Sequence, residues 1–132
     1  MNSNAHSNDH SNALINRIGQ AIVTDPTVDA EPWDGYALIA SYTGLGLKIS
    51  GFRYRDGQPP EAATPQSRDL GGHIEALRDA TRVEDKDPWG ACVIRINSAT
   101  GKIGVDFAYE AADQWDITPA TLAEVSERAR PG

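Results

Sequence analysis

The amino-acid sequence predicts an α+β fold: a single four-stranded antiparallel sheet with three helices, ordered helix, two strands, helix, two strands, helix. Three observations predict it. In 89–97, Cys92, Ile94 and Ile96 alternate with Val93, Arg95 and Asn97; in 102–109, Ile103, Val105, Phe107 and Tyr109 alternate with Lys102, Gly104, Asp106 and Ala108. A period of two places one set of side chains on a buried face and the other on a polar face. Apolar residues also recur every three or four positions around Leu14 and around Leu70, the spacing of a helix stripe. Finally, the order helix, two strands, helix, two strands, helix argues for one antiparallel sheet with helices packed on it.

Residues 1–11 are rich in Asn and Ser and cannot bury apolar area, so they read as a flexible tail before a single domain over 12–132. The first helix is expected over 12–23, with Leu14, Ile18 and Ile22 inward, Ile15 widening the stripe, and Ser11 as N-cap. Asp25-Pro26 ends it, because the residue before proline avoids the α region. An acidic loop follows, carrying Asp25, Asp29, Glu31 and Asp34.

Residues 36–42 and 47–55 read as an antiparallel hairpin turned at 43–46, and the pattern leaves open which of its faces is buried. A polar connection spans 61–67. The second helix is expected over 68–82, with Leu70, Ile74, Leu77 and Thr81 inward; Gly71 and Gly72 mark a late start or a close approach to the sheet. The charged turn at 84–88 leads into the alternating pair, joined at 98–101, with Arg95 and Asp106 on the outward face where they can pair. Thr118-Pro119 opens the last helix, whose stripe is Leu122, Val125 and Ala129.

The chain has 132 residues, enough for one domain that folds without disulfides or metals. Its 19 acidic and 12 basic residues give a formal charge of −7. That balance disfavours direct nucleic-acid binding and favours a basic protein partner. The single cysteine, Cys92, excludes an internal disulfide and falls among core positions of its strand. No apolar run approaches the ~20 residues of a membrane span, and 1–12 lack a signal pattern, so a cytoplasmic location is expected.

A catalytic constellation is missing from the sequence. His73 is the one histidine outside the tail, with no nucleophile motif near it, and it reads as a surface position on the second helix. His6 and His10 sit four apart, but in the tail. Thr43-Gly44-Leu45-Gly46 leads into a strand, not a helix, so it lacks the dipole of a phosphate loop. No catalytic residue, cofactor or metal ligand is therefore assigned.

The acids do cluster. Glu84, Asp85 and Asp87 precede the third strand, and Glu110, Asp113 and Asp116 follow the fourth. In an antiparallel hairpin the start of one strand lies beside the end of the next, so both groups are expected at one edge. Trp89 and Trp115 flank them, either as core or as interface anchors within a charged rim. With the outward Asp106, these residues form the candidate partner surface.

Residues 87–90 (Asp-Pro-Trp-Gly), the alternating strand, Gly101-Lys102-Ile103, 106–110 (Asp-Phe-Ala-Tyr-Glu) and Trp115 together resemble the YezG-like immunity proteins. Those proteins belong to bacterial polymorphic toxin and contact-dependent inhibition systems. The resemblance covers roughly residues 70–118, with the Leu77-Arg78 helix and the first amphipathic helix in matching order. It implies an antidote that binds a cognate toxin domain, often a basic nuclease, and blocks it. Partner contacts vary within such families, so the candidate residues rest on charge and aromatic placement alone. Two other readings are a small ligand-binding or enzymatic domain using the clustered carboxylates, and an adaptor or chaperone of a secretion system.

Overall fold

The computed structural model describes the backbone of residues 3–43, 46–82, 87–109 and 112–131; at 3–10, 43, 112 and 113 the description stops at the backbone. Three helices and one antiparallel sheet make up the α+β fold: α1 (Ser3–Val23), β1 (Gly35–Thr43), β2 (Gly46–Tyr54), β3 (Glu61–Ala62), α2 (Asp69–Ala80), β4 (Ala91–Asn97), β5 (Ile103–Ala108) and α3 (Leu122–Arg128). Two short 3₁₀ turns, Val28–Ala30 and Ala112–Trp115, lie between them. The sheet has five strands, not four, in the order β3-β2-β1-β4-β5.

The extra strand comes from the segment expected to be a plain connection. After Pro59-Pro60 the chain folds back so that Glu61 and Ala62 pair with Arg53 and Phe52. A two-residue strand carries no alternation to read, so only the long-range pairing reveals it. Gly51 makes this corner possible. A Cβ there would lie 1.9 Å from the Tyr36 hydroxyl and 2.9 Å from the Ala63 carbonyl. Without it, the Tyr36 hydroxyl crosses the strand and donates to the Ala63 oxygen at 2.6 Å.

The first helix begins at Ser3, earlier than expected, and takes in the stretch read as a tail. No glycine or proline occurs before Gly19, so nothing in the backbone stops the helix from extending. Leu14, Ile18 and Ile22 are buried as expected. Gly19 brings the helix down onto the sheet, since a Cβ there would lie 2.5 Å from the Ile103 side chain. In α2 the buried stripe is Leu70, Ile74 and Leu77.

Two apolar clusters sandwich the sheet. The larger packs α1 and α2 onto Tyr36, Leu38, Ala40, Cys92, Ile94 and Ile96. The smaller packs Val125 of α3 and the following Ala129, with Trp115 and Ile117, onto Ala37, Ile39, Phe52, Tyr54 and Val93. Both faces of β1 and of the second half of β2 are therefore buried, which is why the first hairpin shows no clean alternation. The same cover buries Val93, expected on the outward face. Leu122 was expected inward and is exposed; Ser126 is buried instead. Thr118 opens the turn before α3, accepting from the amides of Thr121 and Leu122 at 3.1 and 2.9 Å through its carbonyl.

Candidate protein-binding surface

The strand register brings the approach to β4 and the exit from β5 to one end of the sheet. Ala91 is opposite Ala108, Ser41 opposite Ala91, and Lys48 opposite Ser41. The Gly90 amide donates to the Ala108 carbonyl at 2.9 Å, so the approach to β4 and the exit from β5 touch. The expected juxtaposition of residues near 87 with residues near 109 is thus present. Glu84, Asp85 and Glu110 lie outside the described residues, as does the side chain of Asp113.

For Trp89 the structure favours the first of the two expected roles and removes the ring from the candidate partner surface. Trp89 is 0% exposed and belongs to the helix-side core. Its ring stacks on Phe107 at 5.5 Å and meets Tyr42 edge-on at 5.8 Å. Its indole N–H donates to Thr81 Oγ at 2.9 Å, and its carbonyl accepts from Arg78 Nε at 2.8 Å. A tryptophan with its surface covered and its N–H satisfied internally is a core residue, not an interface anchor. Trp115 packs against the opposite face of the sheet, half-buried, with the Arg128 guanidinium 5.5 Å from its ring. The two tryptophans therefore do not form one surface.

The described acids divide by what neutralises them. Asp106 pairs with Arg95 on the α3 face, as expected, although diagonally, since its direct partner across the ladder is Val93. Arg95 also donates to the Ala129 carbonyl at 3.0 Å, so this pair holds the end of α3. Asp116 is 3.7 Å from Lys48 Nζ, whose other bond is to the Ile117 carbonyl. Glu124 and Glu127 pair with Arg128 and Arg130. Asp87 is exposed and has no ion-pair partner among the described residues.

Two features that the sequence reading missed sit at or near this end. Tyr109 falls on the inward phase of its strand but is 50% exposed, because the chain has passed the last β5 ladder pair and no described helix covers it there. Glu75 and Asp79, four apart on the solvent side of α2, bear on the Tyr42 hydroxyl electrostatically, and burial raises the pKa of that hydroxyl. Their spacing opposite the Leu70, Ile74, Leu77 stripe is a readable signal of an outward acidic pair.

Elsewhere the titratable groups serve the fold. Asp25, a buried carboxylate, accepts from the amides of Thr27, Gln66 and Ser67 at 2.9, 2.9 and 3.0 Å. It lines a depression of about 500 Å³ with Asp69 and His73, but both of its oxygens are spent on backbone. Arg53, nearly buried, is 2.7 Å from Glu61 and 3.6 Å from Glu31. Burial pushes the Cys92 thiol up to about 12, which leaves it protonated and unreactive. Among the described residues no group of three or more His, Cys, Asp and Glu is placed to hold a metal ion, and no helix is long and apolar enough to cross a membrane. No family model matches the chain, and no curated protein matches it.

Proposed function

We propose that this chain is an immunity protein that binds a cognate toxin domain in the cytoplasm and neutralises it, the toxin being a basic, nuclease-type domain. The observation that carries the reading is the sheet end where the exposed Asp87 and the half-exposed Tyr109 lie on touching segments of a chain with net charge −7. The motif resemblance over residues 70–118 supports it. An aromatic within an acidic rim suits a cationic protein: the charge steers encounter and the ring supplies desolvated contact. Asp106 and Asp116 are already engaged by Arg95 and Lys48, so the weight of recognition falls on Asp87 and Tyr109. Glu84, Asp85, Glu110 and Asp113 adjoin them in sequence.

The test is co-expression with the toxic C-terminal domain of a large secreted protein encoded beside this chain's gene. Binding and growth rescue are expected. Asp87→Lys should slow association by about tenfold at low salt, with the difference shrinking as salt rises. Tyr109→Ala should speed dissociation. A chain that neither binds that domain nor restores growth is not its antidote, and equal binding to unrelated toxins would favour the adaptor reading.

A further inference from the structure

At one end of the sheet β3 is only two residues long and follows two prolines, a short edge that resists pairing. At the other end β5 runs over Ile103–Ala108, and no described strand pairs with its outer side. The direction of its free groups follows from the ladder. The Asn97 amide donates to the Lys102 carbonyl at 3.0 Å, and the Ala108 carbonyl accepts from Gly90. The even-numbered residues thus bond toward β4, while Ile103, Val105 and Phe107 direct their amides and carbonyls outward.

We propose that the β5 edge pairs antiparallel with the β5 edge of a second copy of this chain, centred on Val105, giving one continuous sheet across the dimer. The occupant is argued from the register. Centred there, Val105 meets Val105 of the second copy and Ile103 meets its Phe107. All of these are half-buried apolar side chains on the α1 face, and with Ile15 they line a depression of about 520 Å³. On the opposite face Asp106 meets Gly104, so no like charges stand directly opposed, and each Asp106 keeps its own Arg95. Among the described residues a Cβ at Gly104 would meet nothing within 4 Å, so no close contact there requires a glycine. A glycine inside an edge strand weakens that strand and is a place where a second backbone can come close.

Association of two chains of charge −7 must also work against their mutual repulsion. The dimer should therefore tighten as salt rises, the opposite of the salt response expected for a basic partner.

The test is analytical ultracentrifugation of the full chain from about 5 to 500 μM, at about 0.1 and 0.5 M salt. Expected is a mass rising from one chain toward two, more so at the higher salt. Val105→Pro removes an outward amide and no β4 ladder bond, and should raise the dimer Kd at least about tenfold. Gly104→Asp sets aspartates against each other twice across the seam and should raise it by about tenfold; its side chain enters open space beside Arg95, so the fold is retained if proline is not tolerated. A wild-type chain that stays monomeric throughout overturns the proposal and leaves the edge to a strand of another protein. Either variant associating as tightly as wild type, with an unchanged melt, overturns it equally.

Discussion

Replacing Trp89 with alanine tests the placement of the largest fully buried side chain among the described residues. The side chain has no exposed surface, stacks on Phe107, meets Tyr42 and hydrogen-bonds Thr81. Removing it leaves a cavity between α2 and the β1-β4-β5 surface, and truncating a buried tryptophan to alanine costs about 3–5 kcal/mol. The lost bond from the indole N–H lies within that range, because Thr81 retains its own bond to the Leu77 carbonyl at 2.8 Å. Against a total stability of about 5–15 kcal/mol this is a large share. For a chain of this length, a loss near 4 kcal/mol lowers Tm by roughly 12–16 °C. A thermal melt followed by near-ultraviolet circular dichroism, with urea titration at 25 °C, measures it. Tyr109→Ala is the control: its ring is half-exposed, so its melt should stay within about 2 °C of wild type. A Trp89→Ala chain melting within the same 2 °C would refute the core assignment and return that ring to the list of binding anchors.

Two further predictions concern groups whose protonation or bonding is set by burial. Asp25→Ala leaves the amides of Thr27, Gln66 and Ser67 without their shared acceptor, and should cost about 3 kcal/mol in urea unfolding; Asp25→Asn, which keeps one acceptor oxygen, should recover part of that loss, and an unchanged midpoint for alanine would remove this carboxylate from the account of the 63–68 loop. Cys92 is held protonated to about pH 12 against 9.0 for a free thiol, and burial raises Tyr36 and Tyr54 in the same direction. The unfolded chain therefore releases these protons first, so these groups leave stability unchanged between about pH 7 and 9 and lower it above that, the thiol alone contributing a slope of up to about 1.4 kcal/mol per pH unit. Urea midpoints at pH 7 and pH 11 check this, and equal midpoints would contradict the burial of these groups.

Much of the fold was legible because periodicity is a local property of a chain. The stripes around Ile18 and Ile74, and the alternation through Ile94 and Val105, mark which side chains share a face, and all four are buried or half-buried as read. The Arg95–Asp106 pair was readable for the same reason, both residues lying on the polar phase of adjoining strands. The candidate surface was legible only in part. Sequence order placed the residues near 87 beside those near 109, since a hairpin allows little else.

What covers a face is not written in its period, and there the tertiary structure decided. The docking of α3 buries Val93, Phe52 and Tyr54, so β1 hides both faces and its alternation vanishes. The fold-back at Gly51 adds β3, a strand too short to carry a pattern. Trp89 is core rather than anchor because α2 reaches over its ring, and Tyr109, expected inward, is half-exposed because no described helix reaches over it. The sequence by itself determined the elements and their faces, through short-range repetition. Only the packed chain decided which aromatic meets solvent and which acids are already neutralised, because both depend on residues far apart in the chain meeting in space.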